Sequence, residues 1–393
     1  MRMLKDTIQN IALEIKTGKT PPTSNPEYFG EDVDWYTPSD LDKEKYLGKS
    51  RRGITDKAIV EKKAIVFRPH TVLIGAIGDI GKLGITSNIS SSNQQITGIY
   101  PNPDKVDAQY LYYWLKAHKN LLIDKAKSAI VPILNNKDLG QIKVSFPEKL
   151  SDQLHIANIL SKAENLIAQR KESIRLLDEF LKSTFLEMFG DPVRNEKAWH
   201  IGKFKDLATL DRKQVLPSEF TNEDFYIGLE DIEKETGNII KTSSENTGDL
   251  KSSKFRFTTN HILYAKLRPY LNKVALPTKA GICSTDIFPV LPLEEKSNRF
   301  FICYLMRSKP FVTEMHSKSS GANLPRASAS VIENFKTYQP PIELQSQFAQ
   351  IVEKTEALKS QYQQSLQELE NLYGSLSQKA FRGELTINKA VSV

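Results

Sequence analysis

The stretch Gly75-Ala76-Ile77-Gly78-Asp79-Ile80-Gly81-Lys82 is where this chain comes nearest to a familiar chemistry, a backbone cradle for phosphate. A phosphate loop needs the spacing GxxxxGK followed by Ser or Thr, whose hydroxyl holds magnesium. Here the glycines stand as GxxGxxGK and Leu83 follows, so the motif fails and the glycines serve a turn or a close backbone approach. Other catalytic signatures are missing too. The nearest strings to the Asn/Asp-Pro-Pro-aromatic motif of amino-methyltransferases are Gln339-Pro340-Pro341-Ile342 and Thr20-Pro21-Pro22-Thr23. Pro103-Asp104-Lys105 lacks a convincing Glu-x-Lys partner for a nuclease site. The six histidines form no HExxH or HxH cluster, and there is no G-x-S-x-G elbow. The chain reads as a non-enzyme, with no catalytic residue, cofactor or metal of its own.

What remains is binding chemistry. In the first half, Lys49, Arg51, Arg52 and Lys82 stand with Asn88, Asn93, Gln94 and Gln95. In the second half, Arg212, Lys213, Lys254, Arg256 and Lys266 stand with Arg268, Tyr270, Asn272 and Lys273. Arg and Lys pair guanine, Asn and Gln pair adenine, and the remainder hold phosphates. One such residue alone reads as solvated surface; on both halves of a chain of net charge +7 they favour double-stranded DNA. Cys283 and Cys303 lie among apolar residues in no ligand or redox spacing, as reduced core thiols would. The N-terminus lacks a signal-peptide apolar region, and no apolar run approaches the ~18 residues of a membrane span. A soluble, cytoplasmic protein is expected.

The elements that position these residues repeat. Pro132, Pro147, Ile156, Glu164, Leu177 and Phe189 recur as Pro325, Pro340, Phe348, Glu356, Leu369 and Phe381. The offset is 193 at the prolines and 192 afterwards, far too long for a solenoid. Short β-branched runs such as Ala64–Phe67, Val72–Ile74 and His261–Tyr264 predict strands, and Tyr110–Lys116 and Arg299–Leu305 predict aromatic helices whose rings serve core packing. Each half is therefore mixed α/β (α+β). Each then passes through a proline-closed strand, Ile142–Pro147 or Phe335–Pro340, into a long helix.

Both helices carry alternating 3–4 spacing, the seam of a coiled coil. The first seam is Leu160, Ala163, Ile167, Arg170, Ile174, Leu177, Leu181, Thr184 and Met188. The second is Val352, Thr355, Lys359, Tyr362, Leu366, Leu369, Tyr373, Leu376 and Ala380. Arg170 and Lys359 put charges where apolar knobs are expected. A lone helix of this kind needs a partner for its stripe, and the matched lengths predict an antiparallel coiled coil with Leu177 and Leu369 buried near its middle. The other reading has each helix packing on its own globular domain. Roughly 35 residues give a rod of about 50 Å. The expected organisation is residues 1–150, a central helix 151–191, residues 195–341, a distal helix 342–383 and a tail 384–393, a pseudo-twofold internal repeat.

The segments Gly18–Pro22, Trp35–Leu41 and Ser92–Ile99 resemble the opening of a target-recognition domain of type I restriction-modification specificity subunits. The modules Val144–Leu160 and Pro340–Ile351 are similar to the start of that family's helical regions, although Phe225–Glu230 departs from the opening pattern in the second half. The resemblance spans essentially the whole chain: recognition domain, helix, recognition domain, helix. It implies DNA binding without catalysis, with each domain reading one half of a bipartite asymmetric target. It also implies a helical spacer that docks methyltransferase (M) subunits carrying S-adenosylmethionine. A restriction/translocase (R) subunit would supply the ATP- and Mg-dependent steps. The alternatives are a non-catalytic coiled-coil scaffold, or the specificity subunit of another multi-subunit DNA methylation system.

Overall fold

The computed structural model describes residues 1–126, 130–221, 224–240, 250–321 and 323–385; most of the expected tail, 386–393, lies outside them. Four helices organise the chain: α1 (Ala108–Ala117), α2 (Leu150–Phe189), α3 (Arg299–Arg307) and α4 (Ile342–Arg382). Contacts divide it into two compact units, Met1–Gln169 with Ser365–Val393, and Arg170–Gln364. Each long helix therefore contributes its first half to one unit and its second half to the other. The helices are 40 and 41 residues, so each is about 60 Å long at ~1.5 Å per residue, longer than the seam alone predicts. The excess lies before Leu160 and Val352, because helix begins as soon as Pro147 and Pro341 are passed. They end beside Gly190 and Gly383.

In the first unit a five-stranded sheet runs in the order Ala12–Thr17, Ile96–Pro101, Val72–Gly75, Leu83–Thr86, Tyr46–Leu47. A four-stranded sheet is ordered Gly53–Ile54, Phe29–Tyr36, Ser90–Ser92, Val66–Phe67, and Met3–Thr7 pairs antiparallel with Lys143–Pro147. Tyr110, Tyr113 and Trp114 of α1 are buried as core, with Ile156, Ala157 and Leu160 of α2 and Ala380 and Phe381 of α4 in the same cluster. The Tyr110 and Phe381 rings meet edge-on at 5.7 Å.

The second unit, taken by itself, has one four-stranded sheet in the order Ala208–Leu210, Ile287–Pro292, Ile262–Ala265, Val274–Ala275. Another is ordered Gln214–Val215, Lys254–Phe257, Gly281–Cys283, Tyr226–Ile227, and His200–Lys203 pairs with Lys336–Gln339. Its core brings Phe185 and Phe189 of α2 onto Phe301 of α3 and Phe348 of α4, with Phe189 and Phe301 rings 5.0 Å apart. Both cysteines are buried and free, and burial pushes the Cys283 thiol up.

One side chain fastens each long helix to its domain in the same way. Gln153 is fully buried; its amide donates to Lys105 O at 2.9 Å and Pro147 O at 2.8 Å, and its carbonyl accepts from Asp107 N at 2.8 Å. Gln345 is equally buried, donating to Lys296 O at 3.0 Å and Pro340 O at 2.9 Å and accepting from Asn298 N at 3.2 Å. A buried amide is stable only with its polar atoms matched, and each glutamine closes backbone groups that the chain reversal leaves open.

The two seams are covered unevenly. Leu160, Leu181, Val352, Thr355 and Lys359 are buried, while Ile167, Ile174, Tyr362, Leu366, Tyr373 and Leu376 are half-buried. Leu177 and Leu369, expected to be buried, are also half-buried. Two helices cover only one side of each other, so a seam residue away from a domain keeps a wet flank. The charges at the seam find partners. The Arg170 guanidinium lies 4.3 Å from the Tyr362 ring centre, and Lys359 Nζ lies 2.5 Å from Asp178 Oδ1. Within the second unit the contacts Arg170–Tyr362, Asp178–Lys359 and Phe185–Phe348 run in opposite chain directions, so the two segments pack antiparallel there.

Candidate nucleic-acid interface

The basic and amide side chains singled out from sequence divide by what the fold does with them. In the first unit Lys49, Arg51 and Arg52 come together around one open concavity that also includes Thr23, Phe29 and Asp34. Lys49 is exposed and pairs with Glu31 at 2.9 Å, which holds its ammonium above the ordinary lysine range. Arg51 and Arg52 are exposed and have no ion pair among the described residues. Lys82 bonds Asp79 at 2.8 Å across the glycine turn, where Gly78 and Gly81 both take φ of 77°, a left-handed value open to glycine at no steric cost. The glycine run is thus a turn.

Asn88 and Gln94 are exposed, and Gln94 accepts a hydrogen bond from the Thr20 hydroxyl. Asn93 is a correction. It is 8% exposed, its amide donates to Gln95 Oε1 at 2.8 Å and its carbonyl accepts Gln95 N at 3.1 Å, so its hydrogen bonds shape the turn instead of facing outward. Gln95 keeps a partly open face.

In the second unit Arg212, Lys213 and Arg268 are exposed, and Tyr270 is 46% exposed with its ring edge-on to His316. Arg256 is held by Asp224 at 3.0 Å. Burial pushes the Asp224 carboxyl up, but hydrogen bonds from Thr221 and Arg256 outweigh it and leave it below the usual range. Lys266 sits 3.7 Å from Asp286 and 4.8 Å from the centre of the Phe288 ring. Lys273 donates to Leu229 O at 2.7 Å.

Two further residues are corrections. Lys254 is 5% exposed with its ammonium on Ser252 Oγ at 2.7 Å, and Asn272 is 9% exposed, donating to Glu235 at 3.1 Å and to Arg307 O at 3.3 Å. Both lie in or beside strands, and the Lys254 ammonium and the Asn272 amide N–H groups are engaged inside the fold and do not face outward. Sequence reasoning missed Arg326, which shares a concavity with Arg212 and Lys266, and Asp286, its ion-pair partner at 3.1 Å. The repeat held the signal: Arg326 follows Pro325, whose counterpart Pro132 precedes Ile133.

Among the described residues no cluster of His, Cys, Asp and Glu could hold a metal ion, and no helix is long and apolar enough to cross a membrane. The model of the type I restriction modification DNA specificity domain matches twice, over residues 9–176 and 196–371. The chain belongs to this family. It is a specificity subunit of the type I restriction-modification kind.

The specificity subunit is 26% identical over 403 residues to the type I restriction enzyme MjaIX specificity subunit of Methanocaldococcus jannaschii, covering 96% of this chain and 92% of that one. It is 24% identical over 322 residues to the EcoDI specificity subunit of Escherichia coli, covering 72% and 71%. In fold it is similar to the type I S subunit of M. genitalium, with TM-score 0.57, 16% identity and 98% and 97% coverage. A second solved chain, from a study of complex assembly and conformational transition of the type I restriction-modification system, superposes with TM-score 0.61 at 14% identity over 98% of each chain.

Proposed function

We propose that each globular domain of the specificity subunit reads one half of a bipartite, asymmetric DNA target. The two long helices pair antiparallel as a coiled coil in a pseudo-twofold arrangement, set the gap between half-targets and dock methyltransferase subunits. This chain needs no cofactor and performs no catalysis. S-adenosylmethionine belongs to the methyltransferase subunits, and ATP and Mg to a restriction subunit. One observation carries the reading: like scaffolds present unlike polar surfaces. Both domains enter their long helix through the same buried glutamine, Gln153 or Gln345, yet the first exposes Arg51, Arg52 and Gln94 with Gln95 half-buried, and the second exposes Arg212, Lys213 and Arg268 with Lys266 half-buried. An asymmetric target needs equal mounting and unequal readers, because base edges are told apart only by the donors and acceptors set against them.

Methylation-sensitive long-read sequencing of cells carrying this chain with its methyltransferase partner tests the reading. The expected result is a methylated motif of two different words separated by a fixed gap. An uninterrupted palindrome, or no motif dependent on this chain, would overturn it.

A further inference from the structure

Arg326 is held at both its backbone and its side chain. Its N–H donates to Ser320 O at 2.9 Å, Ala327 N donates to Lys266 O at 3.0 Å and Arg268 N to Pro325 O at 2.7 Å, so the segment is pinned against the end of strand Ile262–Ala265. Its guanidinium meets Asp286 along one edge, with Nε 3.1 Å from Oδ1 and the second nitrogen 3.3 Å from Oδ2. Burial pushes the Asp286 carboxyl up, but Arg326 and Lys266 outweigh this and hold it below the usual range, so it stays ionised as their anchor. A guanidinium carries five N–H donors in a planar fork. With the Nε edge engaged, the opposite edge remains, and the side chain is 42% exposed.

That edge belongs to a concavity of about 500 Å³ whose lining includes Arg212, Lys266 and Arg326, with Phe255 and Phe288 forming its apolar part. Three cations against the one carboxylate of Asp286 leave it positive, as a nucleic-acid surface requires.

The first domain shows that the fold does not need Lys266, Asp286 and Arg326. There Ala76 N donates to Gln95 O at 2.8 Å, Leu134 N to Ala76 O at 2.8 Å and Gly78 N to Pro132 O at 3.0 Å. In the second domain Lys266 N donates to Asp286 O at 2.9 Å, alongside the bonds just given. The backbone pattern is the same, so Ala76, Gln95 and Ile133 stand where Lys266, Asp286 and Arg326 stand. A charged reader and an uncharged one occupy the same place on two like scaffolds.

We propose that Arg326 reads a guanine in the half-target of the second domain, with Asp286 as the positioning residue that aims its free edge. The inference rests on the function proposed above. A phosphate contact asks only for charge, and a carboxylate partner weakens it. A bidentate contact to guanine O6 and N7 asks for a fixed planar fork, which the carboxylate supplies.

The test uses the full chain in complex with its methyltransferase subunits, on duplexes carrying the wild-type motif and every single base-pair change in the second word. Arg326→Ala should reduce discrimination at one G·C pair of that word about ten- to a hundredfold and leave the first word unchanged. Arg326→Lys, which keeps the charge and loses the fork, should lose the same discrimination, and Asp286→Asn should lose part of it. If Arg326→Ala does not assemble, Arg326→Gln carries the same expectation. Unchanged second-word discrimination overturns the proposal. So does a uniform loss of affinity across all duplexes that Arg326→Lys restores, since that is a phosphate contact. A wild-type complex with no bipartite motif overturns the underlying function, and is told apart because it fails before any variant is made.

Discussion

Replacing Asp178 with alanine should destabilise the second unit more than replacing Lys359 with methionine, although the two are partners in one ion pair. The side chain of Lys359 is 5% exposed and that of Asp178 29%. Asp178→Ala strands an ammonium in the seam, leaving Glu356 at 3.9 Å, itself 47% exposed, as its one carboxylate among the described residues. Breaking a fully buried pair costs about 3–5 kcal/mol. With a partly wet partner and a second carboxylate in reach, the cost here falls to about 1–3 kcal/mol. Lys359→Met keeps the length of the stem, fills the seam with apolar atoms and leaves Asp178 a side chain that water can reach. Its cost should stay within about 1 kcal/mol of zero. The double variant should resemble Lys359→Met alone, so the cycle should return a coupling as large as the Asp178→Ala cost itself, about 1–3 kcal/mol. The assay is guanidinium unfolding of the full chain followed by helical circular dichroism. Midpoints are compared in place of extrapolated free energies, because two units need not unfold together. Equal midpoints for the two single variants, or a lower one for Lys359→Met, would refute the argument that desolvation makes the pair asymmetric.

Glu164 accepts hydrogen bonds from Tyr113 at 2.9 Å, Tyr373 at 3.0 Å and Lys116 at 2.6 Å, joining α1, α2 and α4 inside the first unit. Glu164→Ala should destabilise that unit by about 2–4 kcal/mol and Glu164→Gln by roughly half as much, read from thermal unfolding; equal effects would show that packing and not hydrogen bonding carries the site. Exchanging residues 1–150 for those of another specificity subunit should change one half of the methylated motif and spare the other, and a change in both halves would end the idea of independent readers. A heptad inserted after Leu177 and after Leu369 together should lengthen the helix pair by about 10 Å and the preferred gap by about three base pairs, with weaker binding. Retention of the original gap at full affinity would show that the helices do not measure it. The purified chain alone should transfer no methyl group from labelled S-adenosylmethionine, and turnover free of other subunits would contradict the non-catalytic reading.

Local periodicity carried far in this protein. The 3–4 spacing from Leu160 to Met188 and from Val352 to Ala380 predicts helices, and every seam residue named from it is buried or half-buried. The aromatic runs around Tyr110 and Phe301 were legible as core because rings at helical spacing must find an apolar face. The failures share a cause. Lys254 and Asn272 are polar types inside strands or turns, and sequence does not say which residues water reaches. Nor did it reveal that the Arg170 and Lys359 charges in the seam would be met by Tyr362 and Asp178.

The sequence by itself determined the order of elements, the duplicated layout and the family, because each rests on neighbours within a turn or two, or on a repeat that can be aligned by eye. Only the tertiary structure decided which half of each long helix serves which unit, and which polar side chains remain free. Asp286 and Arg326 are 40 residues apart, and nothing local predicts that a carboxylate will take one edge of a guanidinium and leave the other open. Such a site is made by strand pairing, in which backbone hydrogen bonds bring distant residues to one edge, and that geometry is a property of the closed sheet and not of either segment.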